Sequence, residues 1–177
     1  RRMAREAVGK TIELLHELGE TVTAKRDTTK DRPLPGALGV EPASLEGVAA
    51  IGRRMIAEHG LDVDTATHLC GVYGTRALDI AASIVANRAL GERMDHEVPY
   101  VWAEVEFAAR RDLARTILDV LARRVPLLLV SRDQGLSVCE RVAATLADIH
   151  GWDAPTTAQM LDEYRAEVAL SRRWRSA

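Results

Sequence analysis

WAEVEFAARRDLARTILDVLARR, residues Trp102 to Arg124, carries Trp102, Val105, Ala109, Leu113, Ile117 and Val120 at spacings of three or four. That is one apolar stripe on a helix of 3.6 residues per turn. The other side is dense in charge: Glu104, Glu106, Arg110, Arg111, Asp112, Arg115, Asp119, Arg123 and Arg124. Asp112 with Arg115, Arg115 with Asp119, and Asp119 with Arg123 have the separations that let charges pair along a helix. The stretch predicts one long amphipathic helix in a helical domain.

The rest of the chain extends that reading. Ala4, Val8, Leu15 and Leu18 share a face over residues 3–18, Glu6 and Lys10 are spaced to pair, and Gly19 is a stop. Residues 20–43 lose periodicity and carry three prolines and two glycines, so they predict a connector. Ser44 is placed to cap a helix ending before Gly60, and another starts near Asp62 and ends at Gly74. Thr75 is placed to cap the next, through Asn87, so Gly71-Val72-Tyr73-Gly74 reads as a corner between helices. A polar turn near Gly91 precedes the long helix. Ser131 with Gln134, and Thr156 with Gln159, have capping-box spacing for two final helices. The sum is an all-α fold of about seven helices in a compact, irregular bundle with no substantial sheet. The boundaries are a linking helix over 1–20, a connector over 21–43 and a helical domain over 44–177.

Composition agrees. The 177 residues are 47% hydrophobic, 28% charged and 4% aromatic with a single Phe, so the core is built from Leu, Val, Ile and Ala, which favours helix over sheet. A net charge of −2 gives no reason to expect nucleic acid, which requires a surplus of Lys and Arg. The local basic excess, Arg172, Arg173 and Arg175, reads as a solvated terminus, with attraction to an anionic membrane as the alternative. Cys70 and Cys139 stand far apart and read as buried small hydrophobes in a reducing compartment. The longest apolar run, Val125 to Val130, reads as core. An opening of Arg1-Arg2 without Met is expected of a fragment or processed chain.

Patterns that carry chemistry are sparse. No GxGxxG or GxxxxGK[ST] loop occurs, and the five histidines form no HExxH or HxxxH pair. Asp64 and His68, four apart, are spaced to face one another. His59 and His150 each precede a glycine and fit helix C-termini, where the helix dipole favours imidazolium. Ser83, Ser131 and Ser137 lie in helix or cap settings. The expectation is no catalytic, cofactor-binding or metal-ligating residue in this chain.

Several pieces together resemble the C-terminal domain of FAD-dependent glycerol-3-phosphate dehydrogenases. They are Arg1-Arg2-Met3-Ala4-Arg5-Glu6-Ala7-Val8, Pro33-Leu34-Pro35-Gly36, Tyr73-Gly74-Thr75-Arg76, Ala103-Glu104-Val105, Asp119 to Arg124, and Gly151-Trp152. The resemblance runs from about residue 1 to 168. It implies a parent enzyme whose upstream flavin domain oxidises sn-glycerol 3-phosphate to dihydroxyacetone phosphate, with FAD taking the hydride and electrons passing to quinone. The family's flavin and substrate contacts lie upstream, so none falls on these residues, and the chain alone is expected to bind no flavin. Partners implied are the chain's own N-terminal flavin domain, a further copy in a homo-oligomer, and the inner face of the cytoplasmic membrane for an otherwise cytoplasmic protein. Two places depart from the family pattern: Arg111-Asp112 stands where relatives carry two glutamates, and Val125-Pro126 follows the double arginine.

Within that frame Tyr73, Gly74, Arg76, Glu104, Asp112, Asp119, Arg123 and Arg124 are the candidate structural or docking residues. Glu104 and Asp112, eight apart, fall near one helix face, and Arg123 and Arg124 offer forked donors to carboxylates. The leading reading is an internal ion-pair network that fixes helix order, with docking against a flavin domain beside it. Two other classes stay open: a free-standing helical interaction module, and a small metal or acid–base enzyme built on Glu104, Asp112 and a histidine.

Overall fold

The computed structural model describes residues 1–23, 27–40 and 44–176, with side chains as far as Trp174. Parts of the expected connector, residues 24–26 and 41–43, and the Arg175 side chain of the basic tail lie outside the described residues. Among the described residues there are eight α-helices: α1 (Arg2–Glu17), α2 (Leu45–His59), α3 (Val63–Tyr73), α4 (Ala77–Ala86), α5 (Trp102–Arg111), α6 (Leu127–Val130), α7 (Cys139–His150) and α8 (Ala154–Ser171). The expected all-α fold holds. The turn expected near Gly91 instead opens into a small hairpin, β1 (Arg93–Asp95) antiparallel to β2 (Val98–Val101), with Arg93 opposite Val101 and Asp95 opposite Val98. Asp95 stabilises its turn by accepting the Glu97 amide at 2.8 Å.

Many helix ends are where local chemistry puts them. Ser44 accepts the Gly47 amide at the start of α2, and Asp62 accepts the Thr65 amide at the start of α3. Gly60 and Gly151 take left-handed conformations directly after His59 and His150. Elsewhere the capping expectations fail. Asp153, one turn ahead of the expected cap, accepts the Thr156 amide and opens α8. Thr75 does not cap α4, which follows a 3-10 turn, Gly74–Arg76. Nor does Ser131 open a long helix. Asp133 accepts the amides of Gly135 at 2.8 Å and Ser137 at 2.7 Å, holding the backbone out of helix until α7 begins at Cys139.

The largest correction concerns the stretch from 102 to 124. It is two helical segments. α5 ends at Arg111, and Leu113 takes φ 60 as the Ala114 amide reaches back to the Ala108 carbonyl. Thr116 and Asp119 then form a reciprocal capping box, each accepting the other's amide at 3.0 Å. The second segment winds as a π-helical turn over Asp119–Arg124. Leu113, read as part of the core stripe, is exposed, whereas Ile117 and Val120 do pack inside.

Two apolar cores result, and α5 is the wall between them. Ala103 and Phe107 face the core of α2, α3 and α4, while Trp102, Val105, Ala108 and Ala109 face the core of the π-helical turn, α6, α7 and α8. A helix packed on both sides carries apolar residues around most of its circumference. The 24-residue stretch Val63–Ala86 is by length and composition apolar enough to cross a bilayer, beyond what the sequence reading credited. It bends at Gly74, and Leu69, Ile80 and Ile84 lie in the first core. α1 buries none of its residues, so its apolar face is not packed on the helical domain, and its ion pairs run Arg2–Glu6 and Lys10–Glu13 rather than Glu6–Lys10.

Candidate functional site

The motif pieces scattered through the sequence meet in space. Pro35–Ala37 forms a 3-10 turn that lies against the corner between α3 and α4. A Cβ placed on Gly36 would stand 2.5 Å from the Tyr73 carbonyl oxygen, and one placed on Gly74 would collide with the Gly36 backbone. Gly74 also has φ 57, a conformation L side chains rarely adopt. Thr75, freed from a capping role, donates its hydroxyl to the Gly36 carbonyl at 3.4 Å. The Pro-Leu-Pro-Gly loop and the Tyr-Gly-Thr-Arg corner are thus one locked unit.

Behind the corner lies a buried polar cluster. Glu104, in the first turn of α5, is fully buried, and its side chain reaches back to accept the Val101 amide at 2.9 Å. Its other oxygen accepts the Tyr73 hydroxyl at 2.9 Å and lies 2.9 Å from His68 Nε2. One carboxylate therefore ties α3, β2 and α5 together. Tyr100 stands edge-on to the His68 ring at 4.6 Å, and Phe107 packs edge-on to Tyr73 at 5.4 Å. Burial, reinforced by the Glu104 carboxylate, pushes the Tyr73 phenol far above its usual range. The phenol is held as a hydrogen-bond donor.

In front of the corner the charges range from sunk Asp112, 11% exposed, to exposed Arg123, 66%. Asp112 accepts from Arg76 at 2.6 Å and lies 3.6 Å from an Arg124 nitrogen, and Arg124 also donates to the Asp112 carbonyl at 3.1 Å. Arg76 stacks over the Phe107 ring, 4.6 Å from its centroid. Arg123 pairs with Asp119. Burial opposes ionisation of Asp119, but hydrogen bonds from Arg115 and Thr116 hold its carboxyl below the ordinary range. Between the loop, the corner and the double arginine lies a cleft of about 390 Å³, lined by Leu34, Pro35, Gly36, Val72, Arg76, Asp112, Arg123 and Arg124 among others.

Every candidate residue from the sequence reading is placed by this geometry. Tyr73 and Glu104 form the buried cluster, Arg76 with Asp112 and Arg124 forms the ion-pair bridge, Asp119 and Arg123 flank it, and Gly74 is the corner. Glu104 and Asp112 do not act as a pair, because each is satisfied by different partners. Asp112 pairs with Arg76 and Arg124 rather than with Arg115, and Asp64 pairs with Arg93 rather than with His68. Among the described residues no three His, Cys, Asp or Glu side chains gather as a metal site. Sequence reasoning did not bring His68, Thr75 or Phe107 into this site, because their partners lie 34 to 39 residues away in the chain.

Comparison with known proteins gives a consistent picture. The model for the C-terminal domain of alpha-glycerophosphate oxidase matches residues 27–157. The mitochondrial glycerol-3-phosphate dehydrogenase SDP6 of Arabidopsis thaliana is 31% identical over 170 residues, covering 92% of this chain and 26% of that protein. Glycerol-3-phosphate dehydrogenase of Synechocystis is 32% identical over 136 residues, 77% of this chain and 24% of that protein. The human mitochondrial glycerol-3-phosphate dehydrogenase is 28% identical over 116 residues, 63% of this chain and 16% of that protein. The chain spans about a quarter of the length of the first two of these relatives.

Proposed function

The chain belongs to the family of C-terminal domains of alpha-glycerophosphate oxidase, and from that premise we propose that it is the helical accessory domain of a flavin-dependent glycerol-3-phosphate dehydrogenase. The reaction of the whole enzyme would be oxidation of sn-glycerol 3-phosphate to dihydroxyacetone phosphate, FAD accepting the hydride and quinone the electrons. FAD would be held by the preceding portion of the polypeptide. The two motif glycines at the cleft do not suit it: a flavin pyrophosphate needs open glycine amides before a helix, and Gly36 and Gly74 are packed backbone against backbone. No step of the oxidation is assigned to this chain.

Its role is to fold as a rigid body and pack on the flavin portion. The observation that carries this is the convergence of the Pro-Leu-Pro-Gly loop, the Tyr-Gly-Thr-Arg corner and the double arginine on one solvent-open cleft, backed by a sealed polar cluster rather than by reactive groups. Assembly into a homo-oligomer, and a peripheral position on the inner face of the cytoplasmic membrane, belong to the same proposal.

The test is glycerol-3-phosphate-dependent dye reduction by the 177-residue chain and by the chain extended through its natural upstream sequence. Yellow colour and activity in the extended protein alone are expected. Flavin absorbance in the short chain, or no activity in a folded extended protein, would overturn the reading and leave a free-standing interaction module in its place.

A further inference from the structure

The cleft is lined by two unlike kinds of side chain. Leu34 and Val72 are 77% and 56% exposed, large apolar side chains left in water beside Pro35. Arg76, Arg123 and Arg124 line the same cleft, and Asp112 is the single carboxylate among the lining residues. Asp112 is already taken by Arg76 and Arg124 and is only 11% exposed, so its charge is shared and sunk while the guanidinium edges stay in solvent. Arg123 engages Asp119 through Nη1 alone. Its Nε and Nη2 have no protein acceptor among the described residues, and a guanidinium carries five N–H donors. The surface is therefore preorganised, cationic by two charges across its lining, and half apolar.

A free anion would use the arginines and leave Leu34 and Val72 wet. A protein segment uses both, and arginine beside apolar side chains is the composition of interface centres. We propose that this cleft receives a segment of the flavin-binding portion that presents a carboxylate next to an apolar side chain, the carboxylate meeting Arg123 and Arg124 and the apolar group covering Leu34 and Val72. This rests on the function proposed above and names the surface and the partner chemistry by which the domain docks. The locked Gly36–Gly74 contact fixes the loop that carries Leu34 against the corner that carries Val72 and Arg76, and Asp112 ties Arg76 to Arg124, so docking requires little reorganisation.

Deuterium exchange on the 177-residue chain and on the longer natural polypeptide tests this. Amides of residues 34–40 and 74–76 are expected to exchange about 10-fold or more slowly in the longer protein. In that protein Leu34→Asp and Arg123→Glu should each abolish the protection. Both positions are exposed, and unchanged melting of the 177-residue chain carrying Leu34→Asp controls for folding. Equal exchange in the two proteins overturns the inference, as does protection that survives both substitutions. Inorganic phosphate producing the same protection on the short chain would make this a free-anion site and also overturns it. Flavin colour and dye reduction report separately: an active, yellow protein with an unprotected cleft removes this inference alone, whereas a colourless, inactive one removes the function it rests on.

Discussion

The hydroxyl of Tyr73 donates to the fully buried carboxylate of Glu104 at 2.9 Å, and through that contact the end of α3 is fastened to the start of α5. Removing the acceptor strands three groups at once: the Tyr73 hydroxyl, His68 Nε2 and the Val101 amide. Glu104→Ala is expected to cost about 3 kcal/mol or more, and Tyr73→Phe about 1 kcal/mol. Urea denaturation of the 177-residue chain measures both. A loss for Glu104→Ala no larger than that for Tyr73→Phe would mean that the cluster does not organise the core.

Gly36→Ala and Gly74→Ala should each destabilise by about 2 kcal/mol or more, because the new Cβ meets backbone atoms rather than a side chain that can move. Gly9→Ala, with open space around its Cβ position in α1, is the control and should be neutral or slightly stabilising. Thermal melts of the three variants decide it. A harmless Gly74→Ala would show that loop and corner are not locked together.

Acid should weaken the loop before α7. Burial works against Asp133, but bonds from Ser137, Ser131 and Gly135 bring its carboxyl from the ordinary 3.8 to about 2. A depressed folded value means stability that is complete above the unfolded value and lost as pH falls through the folded one. The decline between pH 4 and pH 2 should therefore be shallower in Asp133→Asn, which has already lost that contribution. Tyr73 acts at the other end: its raised phenol value makes stability complete below 10 and progressively lost above it. Tyr73→Phe should flatten the alkaline limb of a stability-against-pH curve, and an unchanged limb would count against the buried donor.

Both thiols should resist modification in the folded chain. Cys70 and Cys139 are buried, and burial pushes each thiol above its usual value. A disulfide-exchange reagent at neutral pH should titrate neither until denaturant is added, and then both. Rapid reaction of either without denaturant would place it at the surface.

The sequence by itself determined the helical class, the cap at Ser44, the helix start near Asp62, and the glycine ends at 60 and 151. These are local properties: a side-chain oxygen within three residues of an amide, or an apolar repeat matching one helical turn. The break at Asp112–Leu113 was also legible in principle, since Thr116-x-x-Asp119 is a capping box inside the apparent helix. The apolar stripe hid it, because Val105 and Ala109 before the break and Ile117 and Val120 after it keep helical spacing and point into the same core. Partnership was decided by the tertiary structure alone. Glu104 faces His68 and Tyr73, Asp112 faces Arg76, and Gly36 touches Gly74 across 31 to 38 residues of chain. Spacing along a helix ranks near neighbours, and it carries no information about which distant element will pack alongside. That choice is made by the burial of α5 between two cores, which brings the corner, the loop and the double arginine to one face.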